Sequence, residues 1–329
     1  MKHEHLKAGR AAVVAAGLGL GLGLCLGGCS TNPTTGRTQL NMLSRTDEIK
    51  MGIDSKPDML KEYGGEVKNA DARAYVTNLG KQLAAQTEAD NPTLPWEFTL
   101  LNSDVINAFA LPGGKVFISR GLAIKMTNEA QMAGVLGHEI GHVTARHINE
   151  KISRQTGASV GLSVIGAVLG GGGDMITGLA GQAVQISLLS YDRDQENEAD
   201  SLGMRYMVKC FYNPIGQLQV MEILKKEAGG SNQPEFLSTH PIPDTRIKRI
   251  QQIIDTQYKY TQNNAQYKLN AEQFQTQFLP KLAALEHRDN LAAAGFGAVI
   301  EDDPNPFPFM PDWRAMGLGL PACELHAVN

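Results

Sequence analysis

The stretch LGHEIGHVTARHINE, residues 136–150, carries His138, Glu139, His142 and His147. His138 and His142 are four residues apart. On a helix such a pair shares one face, so both imidazoles can reach a single ion. Glu139 sits one step round, beside a water held by that ion, where a carboxylate can act as general base. The pattern H-E-x-x-H thus points to metal-assisted hydrolysis. Two imidazoles plus one carboxylate, with a position left open, suit Zn2+, one ion per chain. Val135, Leu136, Ile140 and Val143 give the helix an apolar face, and Gly141 leaves space near the metal.

A third histidine ligand from the same segment would need glycine at position 145 and histidine at position 148. The chain has Ala145, Arg146 and His147 instead. Without the glycine, one helix is expected from about Asn128 to Lys151, with Asn128 as its cap and Gln131 at the capping-box position. At roughly 100° per residue, His147 then lies about 140° round from His142. It reads as a partly buried or surface histidine outside the ligand set.

The missing ligand is therefore sought on another helix. In YDRDQENEADSLG, residues 191–203, Glu196 and Asp200 fall at i and i+4. Glu196 can complete a His2Glu set, and Asp200 can accept the ring N–H of a ligand histidine and fix its tautomer. Glu198 points elsewhere and is the weaker rival. Acidic residues also favour a solvated helix start, so this segment alone does not decide the matter.

Other elements must position these two helices. Residues 70–88 read as an amphipathic helix, with Val76, Leu79 and Leu83 on one stripe. WEFTLLN, VINAFAL and KVFISR read as short strands, the last two joined by a turn at Pro112-Gly113-Gly114. Residues 193–210 and 215–228 read as helices, and another follows Pro243. The Gly-rich stretch 157–190 is too short in its apolar run for the roughly 20 residues of a span. It reads as two buried helices with a flexible loop that can gate access.

The chain has 329 residues, enough for one or two domains with real cores, and a net charge of −4. That charge argues against a nucleic-acid partner. Neither G-x-G-x-x-G nor G-x-x-x-x-G-K-[ST] occurs, so no nucleotide site is indicated. Lys2, Lys7 and Arg10 followed by an uncharged apolar run read as an export signal ending at Leu26-Gly27-Gly28-Cys29. That ending resembles a bacterial lipoprotein box, which makes Cys29 the lipidated first residue. Ser30 next to it favours outer-membrane sorting. Cleavage leaves 27 basic and 33 acidic residues. Cys210 and Cys323 could pair in an oxidising compartment, or Cys210 could be buried and free.

The combination of H-E-x-x-H with E-x-x-x-D resembles the zinc metallopeptidase family that includes the CAAX prenyl protease and HtpX. Three further segments carry the likeness: NPTTGR (Asn32 to Arg37), NAFALPGGKVFISRGL (Asn107 to Leu122) and STHPIPDTRI (Ser238 to Ile247). The lipoprotein signal resembles the periplasmic branch of BepA and LoiP, although a long helical-repeat domain like that of BepA is lacking. The resemblance implies an α+β, mainly helical gluzincin core on a small β-sheet, with an edge strand beside the zinc helix. It implies that Asn107, Ala108, Phe109 and Ala110 pair with an extended peptide substrate. His240 is implied either to block the open metal position or to stabilise an oxyanion. Arg246 is implied to orient the site or to pair with an acid such as Asp200.

The organisation expected is a signal peptide (1–28), a tether (29–45), a zinc metallopeptidase domain (46–255) and an appendage (256–329). The expected function is an endopeptidase acting on unfolded or misassembled envelope proteins in the periplasm, tethered to the outer membrane. An assembly factor with latent proteolysis is the alternative.

Overall fold

In a computed structural model, residues 29–87, 90, 93–155, 190–229 and 234–282 are described. The strands are β1 (Cys29–Thr31), β2 (Thr38–Leu40), β3 (Glu97–Leu101), β4 (Ala108–Leu111) and β5 (Lys115–Ser119). The helices that frame the core are α1 (Arg45–Glu62), α2 (Ala70–Ala84), α3 (Arg120–Ala123), α4 (Glu129–Thr144), α5 (Arg193–Lys209), α6 (Ile215–Glu227), α7 (Phe236–Thr239) and α8 (Asp244–Gln257). Ser44, Asn69, Asn128 and Asp192 each hold extended backbone and accept from an amide two or three residues on. These caps satisfy amides that a helix start leaves open, and they fix where α1, α2, α4 and α5 begin.

The three-stranded sheet runs β3-β5-β4, with β3 parallel and β4 antiparallel to β5. The β4–β5 hairpin closes through Gly113 at φ 75 and Gly114 at φ 88. Gly113 is also required by packing, since a Cβ there would stand 2.4 Å from the Ile49 Cα of α1. Met59 and Tyr63, from α1 and its C-cap, pack with Leu101, Phe109, Leu111 and Phe117 of the sheet. A second core joins Met204 of α5, Leu218 and Met221 of α6, and Ile250, Ile253 and Ile254 of α8. Every residue of α4 is buried between these layers, so a helix carrying two histidines and two glutamates lies in the interior. Burial of that kind requires partners for each polar group.

The segments flanking this core are bonded to it. Asn32 and Gln39, before α1, are buried and donate to Thr144 O and Ala145 O at the end of α4. After α8, the Ala130 amide donates to Leu269 O and Asn270 Nδ2 donates to Glu129. Phe274 and Phe278 are fully buried against Tyr75 of α2. Among the described residues no helix is long and apolar enough to cross a membrane. The export signal, the Gly-rich stretch 157–189 with its gate, and residues 283–329 with Cys323 lie outside the described residues.

Candidate metal centre

α4 and α5 cross at small residues. A Cβ on Gly141 would stand 2.9 Å from Ala199 O, and one on Gly137 3.1 Å from Gly203 O. Gly141 therefore serves the approach of α5 rather than space for a metal. The crossing brings the inward faces together: His138 and His142 of α4 with Glu196 and Asp200 of α5. His240 arrives from the turn after α7, which Pro241 and Pro243 keep from merging with α8.

The donors converge on one point. His138 Nε2 and His142 Nε2 are 3.0 Å apart. Glu196 Oε1 lies 3.3 Å from His142 Nε2, and Oε2 lies 3.7 Å from His138 Nε2. His240 Nδ1 is 3.3 Å from His138 Nε2 and 2.8 Å from Glu196 Oε1. Nitrogen and oxygen ligands about 2.0–2.1 Å from zinc define a tetrahedron with edges of roughly 3.3 Å. The donor separations, from 2.8 Å to 3.7 Å, lie on either side of that figure.

The chemistry of the donor set also suits a cation. His138 Nδ1 is 3.0 Å from Asp200 Oδ1, an acceptor, so the ring proton sits on Nδ1. His138 Nε2 is then a lone pair facing the Glu196 carboxylate and His142 Nε2. Lone pairs and a carboxylate facing one another favour a positive ion between them, and the residues fit a divalent metal. Arg246 grips Asp200 from outside, Nε to Oδ2 at 2.7 Å and Nη2 to Oδ1 at 2.7 Å, and pairs with Glu196 through Nη1. Gln217 Nε2 adds 2.8 Å to Asp200 Oδ1.

Charge and burial compete at each group. Burial pushes Asp200 up, but Arg246 and His138 outweigh it and hold the carboxyl at about 2. Burial likewise opposes ionised Glu196, yet His240, Arg246 and His138 keep it well below the usual carboxylate range. His142 is pulled well below ordinary histidine, chiefly by burial, which suits a neutral ligand. Glu139 is shifted the other way. Burial raises it against the pull of His240 and His138, and both of its oxygens are buried without a hydrogen-bond partner. Its Oε1 stands 3.6 Å from His240 Nε2.

The structure thus brings His138, His142, Glu196 and His240 into one group, with Asp200, Arg246 and Glu139 around it. Asn107 lies just before β4 and donates to Tyr63 Oη and Glu235 Oε1. Ala108, Phe109 and Ala110 are in β4, which pairs only with β5 among the described residues, so β4 is an edge strand; its residues, backbone included, are all buried. Cys29 stands in β1, paired with β2. Cys210 is free and half-buried.

Sequence reasoning missed three features. Tyr191 stacks on His142 with centroids 3.8 Å apart and on His240 at 5.0 Å. Its position just ahead of the acidic helix was the available signal. The second is the end of α4. The helix does not run on to Lys151 but stops at Thr144, and Arg146 takes φ 59 in the left-handed region. The third follows from it. His147 is turned back until its Nδ1 lies 2.8 Å from His142 Nδ1, with Glu198 Oε2 2.9 Å from its Nε2. It stays outside the donor group, as expected, but is fully buried rather than peripheral.

Residues 70–254 match the family model described as peptidase family M48. The chain is 33% identical over 181 residues to the beta-barrel assembly-enhancing protease of Yersinia pestis, covering 53% of this chain and 37% of that protein. It is 28% identical over 243 residues to the Escherichia coli K12 protein of the same name, covering 71% of this chain and 49% of the relative. Similarity extends to the mitochondrial metalloendopeptidase OMA1 of Schizosaccharomyces pombe, 30% identical over 223 residues, 67% of this chain and 65% of that protein. The chain spans less than half the length of the first two relatives.

Proposed function

This chain belongs to peptidase family M48, and on that premise we propose that it is a zinc-dependent endopeptidase of the bacterial cell envelope. The observation that carries the reading is the four-donor group beside a buried Glu139 carboxylate that has no hydrogen-bond partner. A buried carboxylate left unbonded is costly unless a ligand completes it, and here the ligand is the attacking water. Zinc, when bound through His138, His142 and Glu196, supplies the Lewis acidity that polarises a peptide carbonyl and activates that water. Glu139 takes the water's proton and returns it to the leaving amine. Asp200 holds His138 in its ligating tautomer, and Arg246 neutralises Asp200 and Glu196 together.

The substrates are polypeptides. β4 is the edge strand of its sheet but is buried, so an extended chain that reached it after local opening could pair with its backbone, which gives affinity with little dependence on sequence. Unfolded outer-membrane and periplasmic proteins meet that requirement, and the names of the bacterial relatives support outer-membrane β-barrel proteins among them. A lipid on Cys29 would hold the enzyme to the outer membrane, facing the periplasm.

Glu139→Gln tests the reading. It removes the base and leaves the metal donors. Cleavage of unfolded casein should fall by roughly 100-fold or more, the usual range for a general base, with zinc content unchanged. Full cleavage by this variant would overturn the assignment.

His240 favours a second reading. With Nδ1 at the fourth corner, the group is closed by protein in the manner of a structural site. A chain resting in this state would act chiefly as a chaperone or assembly factor, with proteolysis latent. A cellular phenotype that survives Glu139→Gln supports this second reading, and its loss supports the protease.

A further inference from the structure

The two histidines of α4 are braced differently. His138 meets a carboxylate directly, through Asp200. His142 Nδ1 meets none among the described residues, and its hydrogen-bond neighbour is His147 Nδ1. We propose that His147, Glu198 and Arg37 are positioning residues for His142, forming a relay from the metal group to the segment that precedes α1. The proposal rests on His142 being a metal ligand.

With both imidazole rings neutral, hydrogen-bond roles along the relay have one consistent solution. Glu198, held by Arg37 at 3.2 Å, is an acceptor. The proton of the His147 ring is therefore on Nε2, 2.9 Å from Glu198 Oε2. That leaves a lone pair on His147 Nδ1, which accepts from His142 Nδ1–H across 2.8 Å. His142 Nε2 is then a lone pair aimed at the donor group. A carboxylate two links away thus sets the tautomer and ring angle that Asp200 sets directly for His138. Both nitrogens of His147 are committed to this chain, in a ring with no exposed surface.

The backbone that presents His147 is assembled by the same N-terminal segment. Arg146 carries a side chain in a left-handed conformation, which is unfavourable outside glycine. It is held there by Arg146 Nη2 to Leu43 O at 2.7 Å and Nε to Glu48 Oε1 at 2.9 Å. Asn32 Nδ2 and Gln39 Nε2 take up the carbonyls of Thr144 and Ala145 that the end of α4 leaves open. Arg37 also forks onto Glu150, both nitrogens at 2.8 Å. Residues 32–48 therefore build the turn that brings His147 to His142 and supply the outermost charge of the relay. Residues 32–45 of the segment read from sequence as a tether thus share in the scaffold of the proposed metal centre.

Zinc affinity of the whole purified chain, measured by competition with a chromophoric chelator, tests the relay. His147→Ala and Glu198→Ala should each weaken Zn2+ binding by roughly 10–100-fold, the usual effect of losing such a support. His147→Gln should recover most of it, because its amide can accept from His142 and donate to Glu198. The visible spectrum of the Co2+-loaded protein should shift in His147→Ala and return in His147→Gln, a change that mere loss of stability would not cause. Arg37→Ala, whose side chain is partly at the surface, keeps the test open if His147→Ala fails to fold, and a several-fold loss is expected.

His142→Ala is run beside them. If it binds Zn2+ normally, His142 is not a ligand, and the reading beneath the relay falls with the relay. If it loses Zn2+ while His147→Ala, or Arg37→Ala in its place, stays within about threefold of the parent, the relay alone is overturned.

Discussion

Gly203 of α5 lies against the backbone of His138: a Cβ on Gly203 would stand 2.9 Å from the His138 amide nitrogen. Neither helix can give way there without moving His138, a proposed ligand. The first expectation concerns this contact. Gly203→Ala should cost about 1–3 kcal/mol, the range for overpacking an interior, and should weaken zinc binding, because the same crossing sets Glu196 and Asp200. Gly229→Ala is the control, since its Cβ would come no closer than 3.6 Å to Lys226 O. Urea unfolding with and without zinc reads both effects. A Gly203→Ala protein as stable as the parent would show that the crossing is slack.

Arg246 and Asp200 form a buried, two-pronged ion pair. Removing one partner of such a pair leaves an uncompensated charge and costs on the order of 3–5 kcal/mol. Arg246→Ala should therefore destabilise the fold by that order. Combining it with Asp200→Ala should cost less than the two single changes added together. Arg246→Lys should not restore the loss, because an ammonium cannot reproduce the fork. A double-mutant cycle from urea midpoints measures this, and strict additivity would count against the pair.

How far the sequence carried depended on which residues face inward. The inward faces of α2 and α5, and the β4–β5 hairpin at Pro112-Gly113-Gly114, were legible because period and turn chemistry agreed. So were Glu196 and Asp200, because i and i+4 acids need no tertiary knowledge to share a face. α1 was not anticipated. Its buried positions, Glu48, Gly52, Ser55 and Met59, have helical spacing, but three of the four are not hydrophobic. A hydrophobic period cannot reveal such a face. The stop at Thr144 was illegible for another reason. No glycine marks it, and Arg146 is held in its left-handed turn by Leu43 and Glu48, about a hundred residues away in the chain. Tertiary bonds overrode local preference, and the place of His147 went with them.

His240 provides the third expectation. Its Nδ1 takes the corner of the donor group where an active site keeps water. His240→Ala should therefore raise kcat/KM on unfolded casein while zinc binds somewhat less tightly. A fall in kcat with zinc still bound would reverse the assignment and make His240 an oxyanion or proton-handling group. Steady-state kinetics on protein of known zinc content separates the two.

The last expectation concerns the metal and the fold together. Glu196 and the two Nε2 lone pairs converge in a fully buried space, so the ion and the native state stabilise one another. An ion that binds only the folded chain adds about 2.7 kcal/mol at a free concentration of 100 times its Kd. Chelation should accordingly lower the thermal midpoint by several degrees, and Zn2+ should restore it where Mg2+ does not, since Mg2+ prefers oxygen donors. In a His138→Ala, His142→Ala double variant, chelator should have no effect, which ties the shift to this group rather than to a surface ion. Differential scanning fluorimetry on the six samples is sufficient. A parent midpoint that ignores chelator, in protein shown to contain zinc, would place that zinc elsewhere.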